Sequence, residues 1–319
     1  MYPRLSDLFQ DWFGITLPIP IYSFGFMVAA AIMLAGWLTQ RELDRLYAAG
    51  RIAGVKVAAE KVGDKSGRKG KKVDVSPSHL MGTVTVLAVV GGFAGAKFFH
   101  ILENLDQFLL APSRMIFSSG GFTFYGGLIV ATLLVARYVQ KNGQSAAVFA
   151  DVMAPSLMLG YGVGRIGCHL SGDGDWGIVA DIAAKPDWLP MWLWAETYAN
   201  NHLGVDLSAG PVYPTPIYEF VMAVALFLVL YSLRDHPYKA GWLFGLYMAF
   251  AGIERFVIEQ IRVNNTFDFA GLLVTQAEVI SVVLMAIGGA ILYRTWRKKP
   301  GGGSPGEGAA PIPTDLSAA

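Results

Sequence analysis

The sequence predicts an all-α, polytopic membrane protein of seven transmembrane helices with a small external cap, its N-terminus outside and its C-terminus inside. Three observations carry this reading. The 319 residues are 54% hydrophobic and only 15% charged, whereas a soluble domain carries about a quarter charged residues. Seven stretches approach the ~20 apolar residues that cross a bilayer. The cations are also unevenly distributed: of 25 lysines and arginines, eighteen fall in segments that alternation puts on one side, and only Arg4, Arg114, Lys185 and Arg262 on the other. Basic residues are retained on the cytoplasmic face, so the crowded side is the inside.

Residues 1–18 mix aromatics with Asp7 and Asp11 and lead to Pro18 and Pro20, which suits an interfacial lead-in. They lack the basic start and unbroken apolar core of a cleaved signal peptide. The first span follows at about 20–39. Arg41 to His79 carries ten basic against five acidic residues and reads as a solvated cytoplasmic loop, helical in its first half and disordered over GDKSGRKGKK. The second span, about 80–101, is rich in small residues (Gly91, Gly92, Gly95, Ala96) that let a neighbouring helix approach closely. A third span runs over about 122–139 and a fourth over 147–171. Residues 172–213 are irregular and acidic, with Trp188, Trp192 and Trp194 close together, as in an external cap with an interfacial aromatic belt. Spans five to seven follow at about 215–233, 240–261 and 272–293. Residues 1–299 thus form one membrane domain, and Pro300 onward is a low-complexity, disordered tail.

Several functions are excluded. No compact basic and aromatic patch offers a nucleic-acid surface, and neither a phosphate-binding loop nor a nucleophile elbow occurs. Cys168 is the single cysteine, so no internal disulfide forms. The CHLSGDGD run gives only loosely spaced ligand candidates, so no metal or other cofactor is expected.

The chemistry concentrates where apolar spans carry charge. Arg165 lies in YGVGRIGCHLSGDGDWG, ahead of a Gly-Asp break that cannot continue a helix through lipid. Such an intramembrane arginine is costly unless partnered; it either snorkels, pairs with another helix or faces an anion. Tyr161, Arg165 and His169 share one helix face by i, i+4 spacing, with Cys168 beside them. Arg255, Glu259 and Arg262 share another. Alternation brings the ends of the fourth and sixth spans to the outer leaflet, together with Tyr125 at the start of the third span and Tyr213, Tyr218 and Glu219 at the start of the fifth. With Glu259 neutralising one arginine, the other needs an anion, and a lipid phosphate suits a guanidinium through paired, charge-assisted hydrogen bonds.

Four motifs in order then resemble the bacterial prolipoprotein diacylglyceryl transferases: FTFYGGLI, GRIGCHLSGDGDWG, YPTPIYE and ERFVIEQIR, on a stretch from Tyr22 in IYSFGF to about Ile291. The resemblance implies an inner-membrane enzyme with its site toward the outer leaflet. It would move the diacylglyceryl group of phosphatidylglycerol to the thiol of a lipobox cysteine in a prolipoprotein, releasing glycerol phosphate, and act as a monomer. It further implies that Arg165 and Arg255 hold the phosphate and stabilise charge on the departing group. Tyr125 stands where better-known members carry a histidine, Cys168 and Ser171 where asparagines are common, and Asp173 near a glutamate, with one extra residue before Trp176. The base that takes the thiol proton is therefore open among Tyr125, His169, Asp173 and water. Tyr22, Gly126, Gly127, Cys168, Ser171, Asp173, Tyr218, Glu219, Glu259 and Arg262 complete the expected substrate-binding set. Read without the resemblance, the paired arginines equally suit a transporter or binding protein for an anionic solute; the substituted motif positions suit a scaffold that has lost catalysis.

Overall fold

A computed structural model describes residues 1–16, 18–58, 72–118, 120–208, 210–269 and 271–297. The order of elements is α1 (Leu5–Phe13), α2 (Ser23–Ala48), β1 (Val55–Ala58), β2 (Lys72–Val75), a 3-10 turn (Pro77–Leu80) that runs into α3 (Met81–Glu103), α4 (Leu105–Leu110) and α5 (Pro112–Ile116). Then come α6 (Phe124–Lys141), α7 (Ala146–Ser171), α8 (Met191–Trp194), α9 (Thr215–Ser232), α10 (Trp242–Glu259), β3 (Thr266–Phe269), β4 (Leu272–Thr275) and α11 (Gln276–Thr295). Among the described residues, five segments are long and apolar enough to cross a membrane: α2, the 3-10 turn with α3, α7, α9 and α11. The expected third and sixth spans are present as helices, α6 and α10, of 18 residues each. α6 ends on Arg137, Gln140 and Lys141, and α10 contains Glu254, Arg255 and Glu259, so both are more polar than the rest.

The chain is mostly helical but not all-α. Within the expected basic loop, α2 continues to Ala48 and carries Arg41 and Arg45 on its last turns. β1 and β2 then pair antiparallel, with Val55 opposite Val75 and Val57 opposite Val73. Their valines alternate with Lys56, Lys72 and Asp74, the period of a half-buried strand, and Val55 packs into a core of Leu43, Leu46, Val84, Val139, Phe149 and Val152. A hairpin needs partners distant in sequence, which a search for apolar runs does not see. The disorder expected over residues 63–72 is corrected at Lys72, the first residue of β2; the remainder of that stretch and the tail from Pro300 lie outside the described residues. A second antiparallel pair, β3 and β4, leads into α11, whose Thr275 and Glu278 form a reciprocal capping box.

α7 is central, packed against α2, α9 and α10, while α3 pairs with α6 and α10 with α11. Asp151 on α7 accepts the N–H groups of Gly241 and Phe244 at 2.7 and 2.8 Å, placing a carboxylate on the positive end of α10. At its other end α7 stops at Gly172, whose φ of 59° is left-handed, a conformation glycine adopts without steric penalty. The chain therefore turns at once into the cap. Three strand-like bridges tie the cap together: Gly177 with Arg262, Val179 with Val212 and Glu196 with Val212. The N-terminal residues close it from another side, as the Met1 amino group donates to the Ala199 carbonyl at 2.7 Å and the Tyr2 N–H to the Leu170 carbonyl at 2.9 Å.

The α3–α6 contact depends on glycine. A Cβ at Gly127 would lie 2.6 Å from the Gly92 carbonyl oxygen, whereas one at Gly82 would meet nothing within 4 Å. Gly127→Leu is therefore expected to destabilise the detergent-solubilised protein by about 1–3 kcal/mol or more. Gly82→Leu should leave its thermal unfolding unchanged, and equal melting of the two variants would contradict this packing.

Candidate functional site

Three helix ends supply the site. Tyr161 and Arg165 lie one turn apart near the end of α7; Glu219 stands in the second turn of α9, which Pro214 and Pro216 help to start. Arg255 and Glu259 lie one turn apart at the end of α10, and Arg262 follows directly, where its backbone pairs with Gly177. The sequence thus sets Arg165 against Glu219 and aligns both with the last turn of α10.

Glu219 is the hub, with a fully buried side chain (0% exposed). Its Oε2 is 3.1 Å from Arg165 Nε, and its Oε1 is 3.6 Å from Arg255 Nη1 and 3.9 Å from Arg262 Nη1. Tyr161 donates its hydroxyl proton to the same Oε1 at 3.0 Å, and the Arg165 guanidinium lies 5.0 Å from the centre of the Tyr161 ring. Arg255 Nη2 is 2.9 Å from Glu259 Oε2, and Glu259 Oε1 accepts from Asn264 at 2.7 Å. Asp175, in the turn after α7, completes the group: one of its carboxylate oxygens accepts from Arg165 Nη1, the other from Arg262 Nη2. Burial raises the Asp175 carboxyl, but the guanidiniums of Arg262 and Arg165 lower it by more, so it stays below the usual carboxylate range and ionised.

Opposite charge is close at hand, yet the hydrogen bonding is incomplete. Arg165 Nε, Arg255 Nη1 and Arg262 Nε are buried N–H groups with no aligned acceptor, and Glu219 Oε2 and Glu259 Oε2 lack an aligned donor. Arg165 Nε and Arg255 Nη1 face Glu219 without good alignment, in surroundings where an unsatisfied polar group costs about 1–3 kcal/mol. A fourth carboxyl, Glu254, is 3% exposed, and its Oε1 has no partner.

The structure gathers Arg165, Arg255, Arg262, Glu219 and Glu259 from the expected set. Tyr125 sits at the first turn of α6, where the charges that act on it are Arg255 and Glu259. His169 faces elsewhere: its Nδ1 is 3.1 Å from the Tyr198 hydroxyl in the cap, and the charges that act on it are Glu196 and the chain's amino terminus. Cys168 is buried with Sγ 3.7 Å from Arg165 Nη1. Ser171 donates to the Cys168 carbonyl at 3.2 Å, and Asp173 accepts the Asp175 N–H at 3.3 Å. Tyr218 donates to the Leu193 carbonyl at 2.7 Å, tying α9 to α8. Gly126 and Gly127 lie against Phe99 and Gly92 of α3. Tyr22 is exposed, with Arg4 5.9 Å from its ring centre. Two members of the cluster are absent from the expected set. Asp175 follows Arg165 by ten residues through a turn, so no helical period links them; Glu254 adjoins Arg255 and could have been noticed as a second charge in an apolar span.

Among the described residues, Cys168 Sγ and carboxylate oxygens of Asp173 and Asp175 lie within 4.8 Å of one another. Both Asp175 oxygens are engaged by arginines. That leaves one thiol and one carboxylate, too few ligands to hold a cation.

Comparison with known proteins places this chain among the membrane-embedded transferases. Residues 11–294 match the family model for prolipoprotein diacylglyceryl transferase, and the chain belongs to that family. It is similar to phosphatidylglycerol–prolipoprotein diacylglyceryl transferases of Vibrio cholerae, 28% identical over 287 residues covering 89% of this chain and 90% of the relative, and of Shewanella oneidensis, 27% identical with 89% and 91% covered. A relative from Leptospira interrogans is 27% identical over 219 residues, with 61% of this chain and 65% of its own length covered, so the match spans just under two thirds of that protein.

Glu219 and Glu254 are expected to behave oppositely when neutralised. Glu219→Gln removes the buried charge shared by three guanidiniums and should destabilise the protein by about 3–5 kcal/mol. Glu254→Gln removes a buried carboxyl without a partner and should leave the melting temperature unchanged or raise it. Thermal unfolding of both purified variants in detergent checks the contrast.

Proposed function

We propose that this protein transfers the diacylglyceryl group of phosphatidylglycerol to the lipobox cysteine of prolipoproteins, at the outer leaflet of the bacterial inner membrane. The observation that carries the reading is the set of three partly exposed arginines around the buried Glu219 in a chain of this family. Such donors match the oxygens of one phosphodiester. The reading places seven spans in one membrane domain, with the N-terminus outside and the C-terminus inside, so that the ends of α7 and α10 and the cap face outward. The enzyme of this reading acts as a monomer.

In this mechanism Arg165 and Arg255 hold the phosphate. The lipobox sulfur attacks the glyceryl carbon that bears the phosphate, a C–S bond forms, and the C–O bond to phosphate breaks. The bonding pair leaves with glycerol phosphate, whose added charge falls where the guanidiniums already point. That is stabilisation by preorganised charge in a site of low dielectric. The thiol proton passes to a base, which this reading leaves among Tyr125, His169, Asp173 and water. The partners are then phosphatidylglycerol and the lipobox of a signal peptide, with no cofactor.

Membranes holding the protein should move label from phosphatidylglycerol to a lipobox peptide. Arg165→Ala and Arg255→Ala should each lower the rate by about 10²–10³-fold or more, while Cys168→Ala retains transfer, since the acceptor brings its own thiol. Transfer at the normal rate in both arginine variants would refute the mechanism. The topology is checked by placing a single cysteine at Ser208 or Ser232 in a Cys168→Ala background: an impermeant thiol reagent on intact cells should label the first and not the second.

A further inference from the structure

The three carboxylates that neutralise the arginines are not equivalent. The Glu219 and Glu259 side chains are fully buried on α9 and α10, whereas the Asp175 side chain is 30% exposed and outside any helix. Asp175 also uses its two oxygens separately, one toward Arg165 and one toward Arg262. Two oxygens on one centre, each taking a guanidinium N–H, is also the arrangement that a phosphodiester presents. We propose that Asp175 is a resident counter-ion occupying the Arg165 side of the phosphate position, which the anionic lipid headgroup displaces as it binds between Arg165 and Arg255. This rests on the transferase reading above and names the residue that sets affinity for the headgroup.

The surroundings suit displacement by rotation of one short side chain. The backbone is fixed on both sides: Thr215 Oγ1 donates to the Asp175 carbonyl, the Asp175 N–H bonds to Asp173, and the Gly177 N–H donates to the Tyr213 carbonyl at 2.9 Å. The loop need not open, and the carboxylate already borders solvent. Charge also balances: a monoanionic phosphodiester replaces a monoanionic carboxylate before the Arg165 and Arg262 guanidiniums. A phosphodiester carries four oxygens against the carboxylate's two, so it can also accept from the partly exposed Arg255 guanidinium, which Asp175 does not touch. A zwitterionic headgroup brings its own cation to the arginines and gains less from the exchange. Because the site must release Asp175 before it binds, apparent affinity is reduced by the fraction of protein in the open form.

The test uses the full chain in detergent and short-chain dihexanoyl phosphatidylglycerol as probe. Asp175→Asn should bind it about tenfold more tightly than the unaltered protein, as the competing charge is removed. The KM for phosphatidylglycerol should fall in step, and kcat should not rise. An unchanged or weaker Kd overturns the proposal; so does a loss of kcat at unchanged Kd, which would assign Asp175 to the chemical step. Asp175→Ser, titrated in the same way, covers the case in which the Asn variant fails to fold. Binding is read without turnover, so absence of transfer by the unaltered protein would defeat the transferase reading separately from this one.

Discussion

The cap end of this bundle depends on one buried carboxylate. A guanidinium cannot be neutralised by losing its proton, so an arginine withdrawn from water must be met by fixed negative charge. Glu219 meets three of them, from α7, from α10 and from the turn after α10, and accepts from Tyr161 as well. The helices that converge there are held by the contacts that form the site. A single bidentate carboxylate cannot align with every donor around it. The unsatisfied N–H groups follow from that shortage.

The cap fixes the remaining degrees of freedom. It leaves α7 at Gly172, pairs Gly177 with Arg262, returns along Val212 and is pinned to α9 through Tyr218. The N-terminal residues lie along it before α2 begins. Arg262 is thus positioned by backbone pairing with the very loop that carries Asp175. His169 belongs to this supporting layer rather than to the cluster, since its ring is held by Tyr198, which in turn lies against Trp176 with ring centres 5.2 Å apart.

Much of this was legible in the sequence, and the parts that were not share a cause. Apolar run length locates α2, α3, α7, α9 and α11 because a span is a local property, and the i, i+4 spacing of Arg165 with Tyr161 and of Arg255 with Glu259 survives into the structure. The pairing of β1 with β2 joins Val55 to Val75 across a basic stretch, and no local signal predicts that partner. Asp175 escaped for a similar reason. Motif resemblance directed attention to Asp173, whose carboxylate turns back on the chain, while the residue two positions later reaches two arginines on different elements.

The two ends of the bundle use the same residue types under different dielectric conditions. At the end away from the cap Arg45 and Arg51 share Asp235, with side chains 36–48% exposed; water screens such pairs, and each contributes about 0–1 kcal/mol. At the cap end the arginines sit among groups largely removed from water, where an ion pair is strong only if its geometry is complete. A charge inserted into the exposed network changes little, because solvent already competes there. A charge inserted into the cap-end cluster must displace a carboxylate, and that exchange has a large free-energy consequence. That asymmetry separates the cluster around Glu219 from the exposed network of Arg45, Arg51 and Asp235.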